Sequence, residues 1–192
     1  TYFDVLRLTV DDKYSWDFAM LGVGLRYING VGKPDMLHYV ESFGMEGHYD
    51  FASNRGYIWS RTFPLLKRAL LLGVGQDNFA YAFPNDDYVG KENCGFNEQI
   101  VTKPHNMYLQ IWVQDGLPAL LAFLALYLLL FGRTIRKCFK KGKWNHSQKI
   151  SLAFLCGVSG YFVAGLANDS SICVAPVFWV LFGVAFAVLR SE

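Results

Sequence analysis

The last 76 residues hold three long apolar stretches, at 117–132, 150–167 and 172–189, and few folds accommodate that pattern other than a membrane-spanning bundle. A bilayer's hydrocarbon core is about 30 Å thick and takes roughly 20 helical residues, within a range of about 17–25. The second and third stretches reach that length, and the first does so with a few residues added at either end. A single such stretch is also what the core helix of a soluble domain looks like. Three in succession point to membrane spans.

Charge divides the chain near Gly116. Residues 1–116 carry ten Lys or Arg and fourteen Asp or Glu, a balance of −4, whereas residues 117–192 carry eight basic and two acidic residues, a balance of +6. Charged residues make up only 18% of the chain, against about a quarter in an average soluble domain. With 53% hydrophobic residues and a mean hydropathy of +0.20, the composition excludes a disordered, collagen-like or disulfide-framework protein, and it also argues against a chain that is membrane-embedded throughout. Seven basic residues and no acid lie between Arg133 and Lys149, which the positive-inside bias places in the cytoplasm. The other short connection, Asn168-Asp169-Ser170-Ser171, then lies outside, and Arg190 returns the C-terminus to the cytoplasm. Residues 1–116 are therefore expected outside the cytoplasm, ahead of spans at about 117–133, 150–167 and 172–189 joined by a basic cytoplasmic loop at 133–149. The basic run could instead bind nucleic acid, but two flanking apolar spans favour the membrane reading. Crossing the membrane requires a signal peptide or an earlier span, and Thr1-Tyr2-Phe3 opens neither, so the chain is expected to be the C-terminal part of a longer protein.

Metal and nucleotide motifs are not evident. The four cysteines have no zinc-like spacing, and Cys94, the one external cysteine, reads as a buried or tolerated thiol. Gly22-Val23-Gly24 and Gly73-Val74-Gly75 each lack the third glycine of a dinucleotide fingerprint. Asp11-Asp12 and Asp86-Asp87 could serve paired-carboxylate or metal chemistry, but adjacent acids in turn-like contexts are more often solvated. The pattern over residues 2–10 and 19–28 reads as short strands and turns.

Two segments carry candidate chemistry. Residues 53–72 have helical periodicity, with Ser53 or Asn54 as cap and a break expected near Phe63, since Pro64 lacks an N–H and crowds the preceding turn. Such a break would let Arg55 and Arg61 approach one site, where guanidinium forks suit phosphate. The plainer alternative is an amphipathic surface helix with solvated Arg61, Lys67 and Arg68. The second segment runs from Lys103 to Gly116, with Tyr108, Ile111 and Trp112 on one helical face. His105 falls at or near the N-terminus of this helix, where the positive dipole end favours the neutral ring, a form able to accept a proton. A lone His is more commonly a packing or capping residue.

The stretch His105-Asn106, nine residues, then Gly116 resembles the signature of the O-antigen ligase and O-antigen polymerase superfamily. Arg55-Gly56-Tyr57-Ile58-Trp59 is similar to that family's Arg-x-x-x-(Leu/Trp) motif, and Arg61-Thr62-Phe63-Pro64-Leu65 offers a second match. The run Leu72-Gly73-Val74-Gly75-Gln76-Asp77-Asn78-Phe79 and the later Asn168-Asp169…Pro176-Val177-Phe178-Trp179 extend the resemblance over about residues 55–189. Ala119 departs from the Gly, Thr or Tyr that is common there, and residues 1–50 carry no resemblance.

The resemblance implies a mostly α membrane protein, with three C-terminal transmembrane helices after an extracytoplasmic mixed helix and short-strand region, and a place within a larger polytopic GT-C-like glycosyltransferase of the bacterial cytoplasmic membrane. It implies a metal-independent, inverting enzyme without a cofactor. The reaction would move a glycan from an undecaprenyl-diphosphate carrier to an acceptor hydroxyl, on a glycan or lipid-glycan, at the external face. His105 would be the base or acceptor-orienting group, and Arg55, with Arg61 as second, would bind the diphosphate. Ligase and repeat-unit polymerase share these motifs. A non-enzymatic sensor or scaffold is the competing class, and a channel is disfavoured by the scarcity of ionisable residues in the spans. Residues 1–192 alone are expected to be inactive.

Overall fold

The computed structural model describes residues 3–12, 14–95, 99–139 and 144–190. They fall into two units, one formed by Thr1–Lys67 with Ala80–Thr102 and the other by Arg68–Phe79 with Lys103–Glu192.

In the first unit the expected strands form an antiparallel sheet in chain order, β1 (Asp4–Val10), β2 (Tyr14–Leu21), β3 (Gly24–Ile28) and β4 (Pro34–Asp35). Asp11 and Asp12 turn the chain between β1 and β2 with positive φ, a conformation that Asp tolerates better than most residues. Register sets Arg7 opposite Asp17, and their side chains pair at 2.6 Å.

Helix α1 (Phe51–Arg68) departs from expectation at both ends. Ala52, Ser53 and Asn54 are left-handed, so neither Ser53 nor Asn54 adopts the extended geometry of an N-cap, and the regular turns begin at Arg55. Asn54 instead donates its amide to the Cys94 carbonyl at 3.0 Å. The break expected near Phe63 is absent, because Pro64 sits inside the helix. Proline cannot donate to the carbonyl four residues back, and that carbonyl, Ser60 O, accepts from the Phe43 N–H at 2.9 Å instead. The lost helical bond is thus replaced by a tertiary one, and Arg55 and Arg61 lie on one uninterrupted run of helix. The short helices α2 (Phe79–Ala82) and α3 (Tyr88–Asn93) follow.

The second unit holds α4 (Met107–Asp115), α5 (Leu117–Cys138), α6 (His146–Ala164) and α7 (Ala175–Arg190). Gly116 separates α4 from α5 at φ 94°, and any Cβ there would strike the Leu71 carbonyl, so the position needs glycine on two counts. Pro118 sits in the first turn of α5, where a missing N–H costs nothing. Asn145 and Gln148 form a reciprocal capping box that starts α6. The core is aromatic: Phe162 stacks on Phe123 with centroids 4.7 Å apart and on Tyr127 at 4.0 Å, and Tyr161 stacks on Phe178 at 4.1 Å.

All three expected apolar stretches are helical, with shifted ends. One described helix, α5, is both long and apolar enough to cross a membrane, while α7 is apolar over 16 residues. Helix α5 runs on through Arg133, Arg136 and Lys137, so the expected basic loop begins as helix. Lys137 is buried, donating to Ser147 Oγ at 2.7 Å and to the Val188 carbonyl at 3.1 Å. Lys140, Lys141 and Lys143 lie outside the described residues.

Candidate functional site

Four hydrogen bonds tie α4 and its cap to the end of α6 and the connection that follows it. Asn106 caps α4 by accepting from the N–H groups of Tyr108 and Leu109, each at 3.0 Å, and its amide donates to the Leu166 carbonyl at 2.8 Å. The Met107 N–H donates to Gly165 O at 2.8 Å, the Tyr108 hydroxyl to Phe162 O at 2.6 Å, and the Ser170 N–H to Gln110 Oε1 at 2.9 Å. Gly165 packs so closely on Met107 that a Cβ would displace that side chain. The connection after α6 is thereby laid over the helix start that carries His105.

This arrangement brings Asp169 to His105, with Nδ1 2.9 Å from Asp169 Oδ2. A carboxylate accepts, so Nδ1 is the ring nitrogen that donates to Asp169 and Nε2 is the one left for another partner. His105 is left-handed at φ 52°, a conformation costing a non-glycine residue about 1–3 kcal/mol that concentrates at functional sites. The ring is half exposed and opens on a cavity of about 440 Å³ whose lining includes Lys103, Tyr161, Asn168 and Ser171. Asp169 is largely buried, and its Oδ1 has no hydrogen-bond partner among the described residues. The sequence placed Asp169 only in an external loop and in the resemblance. Its pairing with His105 joins residues far apart in the chain and leaves no local signal.

The two arginines sit in the first unit in different surroundings. Arg61 is buried. Its Nε donates to Asp87 Oδ2 at 2.9 Å, its Nη1 to Ser60 Oγ at 3.0 Å, and its guanidinium lies 4.9 Å from the centre of the Tyr49 ring and 4.5 Å from that of Tyr57. Burial works against its charge, but bonding to Tyr49 and Asp87 outweighs that and holds its pKa above the ordinary value. Tyr57 also donates to Asp87 Oδ2, at 2.9 Å, and burial followed by the Asp87 charge pushes the phenol far above its usual range. The expectation that Asp86 and Asp87 are solvated therefore fails at Asp87, which is buried, caps α3 through Gly90 N and anchors this cluster. Nearby, burial lowers Lys91 and raises the Cys94 thiol, which is half-buried and free.

Arg55 is engaged less fully. Its Nη1 donates to the Ala52 carbonyl at 2.9 Å, and its buried Nε has no partner among the described residues. No partner is common to the two guanidiniums among the hydrogen bonds described. Among the described residues no group of three or more His, Cys, Asp or Glu side chains could hold a metal ion.

The family model described as O-antigen ligase matches residues 16–124, more than half of the chain, and the chain belongs to that family. The match takes in most of the sheet, α1 to α4 and the start of α5, and so reaches well before the Arg55 limit of the resemblance read from sequence. No curated protein matches, and no solved structure does. At family level the function is of the O-antigen ligase or polymerase type, which is glycosyl transfer in cell-envelope polysaccharide assembly by a family of membrane proteins.

Proposed function

We propose that this chain is part of a multi-pass glycosyltransferase of the bacterial cytoplasmic membrane that moves a glycan from an undecaprenyl-diphosphate carrier to an acceptor hydroxyl at the external face, with inversion and without a metal ion. The same machinery serves a ligase or a repeat-unit polymerase, according to the acceptor. Helices α5, α6 and α7 are the spans in this reading, and residues 1–116 are external. Exposed Leu121, Leu128 and Leu129 on α5 and Val177 and Val180 on α7 form apolar surfaces compatible with lipid.

The His105–Asp169 pair carries the proposal. A hydroxyl is a poor nucleophile, and His105 Nε2 takes its proton as it attacks the anomeric carbon. Asp169 fixes the ring's tautomer and offsets the positive charge that the ring acquires. The carrier diphosphate leaves from the opposite face, and the bond to it breaks as the new glycosidic bond forms. Arg55, with donors to spare, binds the diphosphate and stabilises the charge developing on it. Arg61 enters differently from the sequence expectation. With its charge already balanced by Asp87, it acts on the diphosphate only indirectly, by fixing the helix that bears Arg55.

Glycan transfer by the full-length protein in membranes tests this. His105→Ala and Arg55→Ala are each expected to lower transfer by about 10²-fold or more at unchanged expression and insertion. Near-normal transfer in both variants rejects the assigned roles.

A further inference from the structure

A second cavity of about 340 Å³ lies between α4, α6 and α7, and it shares Lys103, Met107, Tyr161, Ser170 and Ser171 with the cavity beside His105. On the assignment of His105 as base, we infer that this cavity is the subsite for the acceptor sugar, the ring whose hydroxyl is presented to His105. Three features carry the inference.

The first is an unpaired amide at the cavity wall. Gln110 and Gln114 line the cavity from one face of α4 at 9% and 3% exposure. Gln110 Oε1 is taken by Ser170, but the Gln114 side chain makes no hydrogen bond among those described. The tip of Gln114 is not among the fully buried unpartnered atoms, so it meets the cavity as an open donor and acceptor for a ligand's hydroxyls. The second is the pairing of polar and aromatic walls. Trp179 and Tyr161 line the cavity together with carboxylates and amides, and a pyranose has an apolar C–H face for the aromatics and hydroxyls, which both donate and accept, for the polar groups. The third is the sign of the charge. Asp77 and Asp115 at the cavity outnumber Lys103, and Asp115 already accepts from Gln76 Nε2 at 2.6 Å. A diphosphate would be repelled, and a lipid tail would not use the carboxylates and amides of the wall. The volume suits a small saccharide, being near the lower end of the roughly 300–1,000 Å³ typical of small-molecule pockets.

Saturation-transfer NMR on the full-length protein, with the methyl glycosides of glucose, galactose and N-acetylglucosamine as probes, reads binding directly. At least one probe should receive saturation, and Gln114→Leu and Trp179→Leu should each abolish it. The first keeps the side-chain volume in the wall, and the second alters a half-exposed position, so folding losses in both are not expected. Inorganic pyrophosphate should leave the signal unchanged. In transfer assays the same variants should raise the acceptor KM by about tenfold while kcat and the donor KM hold, the pattern of lost ground-state binding. Saturation of none of the three probes, saturation that survives both variants, or displacement by pyrophosphate overturns the assignment. Saccharide binding that depends on Gln114, beside normal transfer in His105→Ala and Arg55→Ala, sinks the enzymatic reading and leaves a carbohydrate-binding cavity.

Discussion

Arg61 and Asp87 illustrate how much one residue's meaning depends on a partner elsewhere in the chain. They are 26 positions apart, and each on its own reads as an ordinary surface charge. Together with Tyr57 they form a buried cluster in which every charge is paired. Removing one partner leaves the other charge buried and uncompensated, so Asp87→Ala should destabilise the first unit by about 3–5 kcal/mol. Denaturant titration of the full-length protein checks this, and a cost below about 1 kcal/mol would mean that water reaches Arg61 freely. His105 and Asp169 obey the same logic at the candidate site. Residue type and helix position marked His105 in the sequence, but no local pattern marks the group that orients it. In the transfer assay Asp169→Asn should lower kcat and leave binding of the donor unchanged, because an amide can hold the ring in place but carries no charge to balance the imidazolium.

At the scale of single elements, the sequence was most readable where local rules act alone. Helical spacing located α4, the length of the apolar stretches located the three long helices, and alternation located the first strands. It was least readable at α1, where Pro64 should have broken the helix but Phe43 supplies the missing donor from outside. No sequence rule anticipates a donor contributed by a distant loop. The start of α4 is the opposite case, since Asn106 is a favourable cap residue in a favourable place. Asn106→Ala removes two capping bonds and the bond to Leu166, and should cost about 1–2 kcal/mol. It should also lower transfer, because the cap positions the neighbouring His105. A thermal melt read beside transfer separates the two effects: Asn106→Asp keeps the capping oxygen, so it should recover most of the stability. Gly116→Ala is expected to be worse, combining a strained φ with collision against the Leu71 carbonyl.

At the scale of the whole molecule, the two carboxyls whose pKa values are lowered, Asp17 and Asp35, both lie in the first unit. The hydrogen bond from Tyr88 at 2.6 Å, followed by the Met36 N–H, holds the Asp35 carboxyl below its ordinary value, and Arg7 does the same for Asp17. Folded pKa values lower than unfolded ones give stability that is complete above about pH 4 and is lost as pH falls through the folded values. Melting temperature should therefore drop below pH 4, and Asp35→Asn should flatten part of that slope. The membrane arrangement calls for a different measurement. Among the described helices, only α5 satisfies the length and hydropathy needed for a span, and α6 and α7 join it in the proposal because their apolar faces pack on it through Phe123, Phe162 and Phe178. If all three cross, the connection at 165–174 and the one at 144–145 must lie on opposite sides of the bilayer. With the four native cysteines replaced by serine, a cysteine introduced at Ser170 should then react with a membrane-impermeant maleimide in intact cells, and one at Trp144 should react only after permeabilisation. Equal labelling of both before permeabilisation would place both connections outside, which an odd number of spans cannot do across α6.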